Sequence, residues 1–328
     1  MSALTLALPS KGRLQEQALG HLADAGLKVS QQHGARGYAA SLSGADNVNL
    51  VLLSAAEIAS ELLAGRVHLG ITGEDLLRES ASDVDASIAT VDKLGFGRAD
   101  VVVAVPRAWI DVATMSDLDD VAHAFHARHH RRLRVATKYL NLTRDFFGRH
   151  GIVDYRIVES LGATEGAPAA ATAEAIVDIT TTGATLAANH LKVLDDGLIL
   201  QSQALLAASL RASWSEATRR AAAGLLDRLA ARRLGKTSYV VRVRMEEAVE
   251  KALPNLEKAL GLRLLSRPAS GNASGEASLL VPQINLVGAV SALRGLGVSG
   301  AISTQTVEYV FQPENPFVAA LNARLPPL

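Results

Sequence analysis

Residues 100–105, Asp-Val-Val-Val-Ala-Val, constrain the fold more than any other stretch of the chain. After the acid come five apolar residues with no polar alternation, and four of them are β-branched. A strand with one wet face alternates apolar and polar side chains. A continuous run marks a strand buried on both faces, as in sheets covered by helices on each side. The flanking sequence supplies those helices. Residues 4–8, 48–53, 67–71, 134–136 and 155–158 read as strands. Residues 15–25, 55–63 and 142–150 read as helices, stopped by Gly26, Gly65 and Gly151. Ser116 reads as the cap of another helix, with Asp117 and Asp119 in its first turn. This rhythm predicts an α/β fold with largely parallel sheets.

From about residue 236 the pattern changes. Residues 213–233 read as one long amphipathic helix. Beyond it, 238–243, 262–266, 277–281 and 300–306 read as strands and 246–260 and 286–296 as helices. The order β-α-β-β-α-β is the ferredoxin-like arrangement. The polar stretch 268–275 reads as a mobile hairpin tip.

A chain of 328 residues has room for about two domains. Aromatics are only 4 %, so its cores must come from Ala, Val, Leu and Ile. Lys plus Arg and Asp plus Glu both number 33. No overall field draws the chain to nucleic acid or to a membrane, so any anion site must be local. The absence of Cys excludes disulfides, thiolate metal sites and Cys nucleophiles. The apolar run before Ser10 and Lys11 is too short for a signal peptide. No apolar stretch approaches the ~20 residues that span a bilayer. A soluble, cytoplasmic protein is expected.

The chemistry concentrates at strand ends. Glu174, the apolar run 175–177, Asp178, then Thr180, Thr181, Thr182, Gly183, Ala184 and Thr185 form an acid followed by a hydroxyl-rich turn. Carboxylates can accept from paired sugar hydroxyls. Hydroxyls and N–H groups at a helix start can hold a phosphate. Ser10, Lys11, Gly12 and Arg13 follow the first strand with two cations and a Gly, a setting for a polyphosphate at the carboxyl end of a sheet. Gly70, Thr72 and Gly73, then Phe96 and Gly97, are further Gly-bearing strand-end pieces. Residues 159–168, with two acids, read as a site loop.

Other signals carry less. Gly235-Lys236-Thr237 ends like a P-loop, but Ala230 stands where an earlier Gly is required and no strand precedes it. His123, His126, His129 and His130 lie among arginines and no carboxylate is expected to join them, which reads as a solvated basic face rather than a metal site. No Gly-x-Ser-x-Gly elbow appears.

In order along the chain, LPSKGRL, HLGITGEDL, LGFGRADVVVAVP, RVATKYLNLTRDFF, ESLGATEGAP and IVDITTTGATL make the sequence similar to the ATP phosphoribosyltransferases, the first enzymes of histidine biosynthesis. The match runs from about residue 4 to 207, and the last unit resembles the regulatory domain of the family's long form. The resemblance implies a two-lobed, periplasmic-binding-protein-like core, with lobe I at 1–93 and 184–235, lobe II at 94–183 and a regulatory domain at 236–328. It also implies ATP and phosphoribosyl pyrophosphate as substrates, Mg²⁺ held mainly by their phosphates, feedback inhibition by histidine, and a homo-oligomer, dimer or hexamer.

Carried over by position, Asp178 and Glu174 would hold the ribose hydroxyls, and Thr181, Thr182, Gly183, Ala184 and Thr185 the 5-phosphate. Lys11 and Arg13, with Ser10 and Gly12, would face the pyrophosphate and nucleotide phosphates. Gly70, Thr72, Gly73, Phe96 and Gly97 would help seat ATP. Lys11, Arg13 and Asp178 would be catalytic. Two places depart from the family pattern: Ala171-Thr-Ala-Glu174 stands for the usual Gly-x-Ala-Asp, and Ser54-Ala-Ala-Glu57-Ile58 for an Arg and Asp-Ile-Pro. The residues alone leave open a phosphoribosyltransferase for another base, or a non-catalytic two-lobed anion-binding protein.

Overall fold

A computed structural model describes residues 3–31, 39–267 and 275–327. The chain forms two compact units, one of Met1–Ala23, Leu27–Ala222 and Ala320–Leu328, the other of Asp24–Gly26 and Ala223–Ala319. The tail therefore belongs with the first unit, where the 236–328 boundary would have put it in the last domain.

The first unit opens with β1 (Leu4–Pro9), α1 (Gly12–Asp24), β2 (Lys28–Gln31), β3 (Ala39–Ser43), β4 (Val48–Leu53), α2 (Ala55–Leu63), β5 (Leu69–Gly73), α3 (Glu74–Ser80) and β6 (Ile88–Lys93). There follow β7 (Asp100–Pro106), α4 (Met115–His129), β8 (Leu133–Thr137), α5 (Leu140–Arg149), β9 (Tyr155–Glu159), β10 (Ala175–Thr180), α6 (Ala184–Ala188) and β11 (Leu191–Leu200). The chain then returns through β12 (Ala204–Ser209) and α7 (Glu216–Lys236).

These strands make two sheets, one for each lobe, ordered β2-β3-β4-β1-β5-β12-β6 and β11-β7-β10-β8-β9. Both are mixed rather than largely parallel, because β12 runs antiparallel to β5 and β6, and β7 antiparallel to β10 and β11. Val101, Val103 and Val105 of β7 enter one buried cluster, while Val102 and Ala104 enter another on the opposite face. That is the two-sided burial the uninterrupted run demands. The expected return to lobe I at residue 184 is overturned. Pairing of β11 with β7 keeps α6 and β11 in lobe II, and the chain crosses back at 201–203.

Local chemistry sets the helix starts. Ser54 accepts from the Glu57 N–H and Glu57 accepts from the Ser54 N–H, a capping box that begins α2. Thr114, not Ser116, caps α4, again reciprocally with Asp117.

The second unit contains β13 (Ser238–Arg244), α8 (Glu247–Leu260), β14 (Arg263–Ser266), β15 (Glu276–Pro282), α9 (Leu286–Gly295), β16 (Ser303–Thr306) and the start of α10 (Pro316–Asn322). Its antiparallel sheet is ordered β14-β15-β13-β16. Val241 and Val243 are buried with Val249, Leu253, Ala289 and Leu293 of α8 and α9, while Arg242 between them and Arg244 after them are exposed. The tip expected at 268–275 lies, but for Gly275, outside the described residues. Among the described residues no helix is long and apolar enough to cross a membrane.

Candidate active site

Strand direction brings the chemistry to one place. In the first sheet β1, β4 and β5 are parallel, and Gly73 at the end of β5 pairs with Ala204 at the start of β12. In the second, β8, β9 and β10 are parallel, and Thr180 at the end of β10 pairs with Asp100 at the start of β7. The two crossovers, 94–99 and 201–203, join these same edges. Carboxyl ends of parallel strands from both lobes thus border the crossovers, where ligands gather in open α/β sheets.

On the first lobe, Lys11 just before α1 and Gly12 and Arg13 at its start are exposed, and Ser10 donates its N–H to the Leu53 carbonyl (2.8 Å). Gly12 has φ +74° and open space where a Cβ would stand, so its backbone face is free for a ligand. Gly97 (φ +62°) lies against α1: a Cβ there would come within 3.0 Å of Leu14 Cδ1. Its neighbour Arg98 offers its carbonyl to the Thr181 hydroxyl (3.2 Å). Two consecutive residues therefore tie the start of α1 to the threonine turn of the other lobe. The Phe96 ring packs near His21 of α1.

Gly70, Thr72 and Gly73 are buried in β5, and local packing accounts for each of them. A Cβ on Gly70 would meet Ile58 Cγ2 at 2.7 Å, so this Gly lets α2 pack on the strand. The Thr72 hydroxyl is spent on the Ala55 carbonyl (2.7 Å). A Cβ on Gly73 would lie 2.3 Å from Asp75 Oδ1, so this Gly makes room for that carboxylate.

On the second lobe, β10 carries Asp178 to the cleft edge. Burial pushes its carboxyl above the usual range and nearby Glu165 adds to this, while the Ile179 N–H (2.8 Å) and the Lys138 charge draw it down. Beyond it Thr181, Thr182, Ala184 and Thr185 are exposed, and Gly183 takes φ +74° to start α6. Gly183 N–H donates to Thr180 Oγ1 (2.8 Å) and Ala184 N–H to Thr182 Oγ1 (3.4 Å), which shapes the turn.

Glu174 is not at this edge. It precedes the other end of β10, about 13 Å away at ~3.3 Å per residue. Its carboxylate accepts from Arg134 Nη2 (2.7 Å), the Arg134 backbone N–H (2.7 Å) and Arg131 Nη2 (3.1 Å). Burial alone would raise its pKa, but these bonds overcome it and hold the carboxyl at about 2. The ribose role expected for Glu174 is therefore withdrawn: it clamps the start of β8 to β10.

The histidine face also changes. His126 Nδ1 lies 2.8 Å and His123 Nδ1 3.3 Å from the two oxygens of Asp154, a carboxylate the fold supplies from across the lobe. Among the described residues no group of three or more His, Cys, Asp or Glu is arranged to hold a metal ion. Lys138 follows β8, and its charge acts on Asp178. Its signal was the lone cation in Thr-Lys-Tyr directly after a strand. Glu165 lay within the suspected site loop.

A family profile described as ATP phosphoribosyltransferase matches residues 54–231. An ATP phosphoribosyltransferase of Rhodopseudomonas palustris (strain BisA53) is 54 % identical over 320 residues, 98 % of each chain. That of Bradyrhizobium sp. (strain ORS 278) is 53 % identical over 323 residues, again 98 % of each. Among solved structures, the ATP phosphoribosyl transferase (HisG:HisZ) complex from Thermotoga maritima resembles the chain in fold, with TM-score 0.53 and 23 % identity, covering 69 % of this chain and 95 % of that one. Motif order, strand-edge geometry and near full-length identity agree: the chain belongs to the ATP phosphoribosyltransferase family.

Proposed function

We propose that the chain joins N1 of the adenine of ATP to the anomeric carbon of phosphoribosyl pyrophosphate, releasing pyrophosphate, as the first step of histidine biosynthesis. The observation that carries this reading is the Gly97–Arg98 tie, which puts the cationic α1 start and the threonine turn on one cleft. As the sugar C–O bond breaks, positive charge grows on the ring and negative charge on the departing pyrophosphate. Lys11 and Arg13 neutralise the leaving group, so no strong proton donor is needed. Asp178, poorly hydrated and bordered by Lys138, accepts from the ribose hydroxyls. Thr181, Thr182 and Thr185 with the backbone of Gly183 and Ala184 hold the 5-phosphate. Catalysis is then positioning and electrostatics.

Mg²⁺ fits this donor set. Asp178, with Glu165 near it, would be a carboxylate beside the bound diphosphate, and Mg²⁺ is commonly held by one or two carboxylates plus substrate phosphates. It would supply further neutralisation of the pyrophosphate. The second unit, with strand order 2-3-1-4 within a β-α-β-β-α-β chain, supports a ferredoxin-like regulatory domain. Histidine as feedback inhibitor, a homo-hexameric assembly and a cytoplasmic setting rest on the family resemblance.

Mixing the protein with ATP, phosphoribosyl pyrophosphate and Mg²⁺ and following ultraviolet absorbance tests the activity. Asp178→Ala removes charged hydrogen bonds of about 1.5–3 kcal/mol each, or roughly ten- to a hundredfold in kcat/KM per contact. Full activity with unchanged affinity for phosphoribosyl pyrophosphate would remove Asp178 from the site.

A further inference from the structure

Tyr139, Asp75 and Ser202 form a buried chain of hydrogen bonds that the proposed chemistry does not use. They are 0 %, 5 % and 3 % exposed. The Tyr139 hydroxyl donates to Asp75 Oδ2 (2.7 Å), and the Ser202 hydroxyl donates to Asp75 Oδ1 (2.8 Å) while accepting the Asp75 N–H (3.0 Å). Each member comes from a different part of the molecule. Asp75 begins α3 of lobe I, Ser202 lies in the returning crossover, and Tyr139 stands between β8 and α5 of lobe II.

A buried carboxylate needs donors, and hydroxyls from the other lobe and the crossover provide them here. Room for it is made by Gly73, whose missing Cβ would overlap Asp75 Oδ1. Tyr139 is fixed on its remaining polar atoms too. Its N–H donates to Thr137 Oγ1 (2.9 Å) and its carbonyl accepts the Thr143 N–H (3.0 Å). Burial and the Asp75 charge hold the phenol far above its ordinary range, so it remains a donor throughout the working pH range. The residue before it is Lys138, whose charge acts on Asp178.

We propose that Tyr139 is a positioning residue: anchored to Asp75 of the opposite lobe, it sets the interlobe spacing at which Lys138 and Asp178 meet a sugar diphosphate whose leaving group sits on the Lys11 loop. This rests on the site reading above. Tyr139 touches no substrate itself. It acts through the peptide it shares with Lys138 and through Asp75.

The test uses the full chain. Tyr139→Phe deletes only the hydroxyl. It is expected to lower kcat/KM for phosphoribosyl pyrophosphate about ten- to a hundredfold while the KM for ATP moves less than about twofold. Asp75→Asn keeps an acceptor for the phenol and is expected to retain most activity. The chain lacks Cys, so spin labels on Ser60→Cys and Arg156→Cys, exposed on the two lobes, report interlobe distance without turnover. The distribution is expected to broaden or shift in Tyr139→Phe and to stay narrow in Asp75→Asn. Should Tyr139→Phe fail to fold, Ser202→Ala breaks the other arm and carries both measurements. Wild-type kinetics with an unchanged distance distribution in the variant that folds, or an Asp75→Asn as damaged as Tyr139→Phe, would overturn the proposal. A wild-type protein that fails to turn over ATP and phosphoribosyl pyrophosphate would instead overturn the functional reading, and the distance measurement would still test the strut.

Discussion

Glu174, just before β10, and Asp178, within it, differ in what surrounds them. Arg131 and Arg134 bind Glu174, whereas Asp178 is held by one N–H and the nearby Lys138 charge. Glu174→Gln is accordingly expected to leave the KM for phosphoribosyl pyrophosphate unchanged and to cost about 1–3 kcal/mol of stability at pH 7. The sign of the pH dependence follows from a carboxyl held at about 2 against an ordinary 4.5. The stabilisation is complete above pH 4.5 and fades as pH falls toward 2, so urea midpoints of variant and wild type should converge in acid. Identical midpoints at pH 7 would contradict the clamp. Glycines divide in the same way. Gly70→Ala would force Ile58 Cγ2 from 2.7 Å, and a loss of about 1–3 kcal/mol is expected by denaturant titration, as for an overpacked core. Sequence could show an acid beside a hydroxyl turn. It could not show which of two acids is already paired, because Arg134 lies forty residues from Glu174 and reaches it only through the β8–β10 ladder.

At the level of elements, helices and buried strands were legible because their periods are local. The pattern over 55–63 predicts a helix with its observed bounds, and that over 100–105 a doubly buried strand. Mixed direction was not legible, because β11 and β12 carry the same apolar pattern whichever way they pair. Caps supplied from a distance were also hidden. Tyr139 places no side-chain cap on α5. Glu79 of lobe I does it instead, accepting the N–H groups of Asn141 (2.9 Å) and Leu142 (3.0 Å), while the Asn141 side chain returns a bond to the Glu79 carbonyl (2.9 Å). Glu79→Ala is expected to cost about 1 kcal/mol, the usual worth of a cap, with the faster amide exchange confined to the first turn of α5. Ser54→Ala should do the same at α2, where the cap is local. Unaltered exchange at Asn141 and Leu142 would show that α5 does not depend on Glu79.

For the whole molecule, the tail returns to the first unit after the second has been built. Arg219 Nη2 donates to the Pro326 carbonyl (2.5 Å), Arg324 reaches the Asp85 carbonyl, and Leu325 is buried. No composition change marks that return, which is why residues 236–328 read as one domain. The consequence is a separable pair of truncations. Removing residues after Asn322 leaves the second unit's fold elements intact and deletes the tail's bonds and, among the described residues, one buried apolar side chain, Leu325. It should lower the melting temperature by roughly 2–4 °C per kcal/mol lost while any inhibition by histidine persists. Removing residues after Lys236 deletes the second unit's sheet as well. If that unit is the regulatory domain, inhibition should vanish while the residual activity matches that of the shorter truncation. Inhibition that survives the larger deletion would place the effector in the first unit. Inhibition lost already with the tail would place it at the tail's seat beside Asp85 and Arg219.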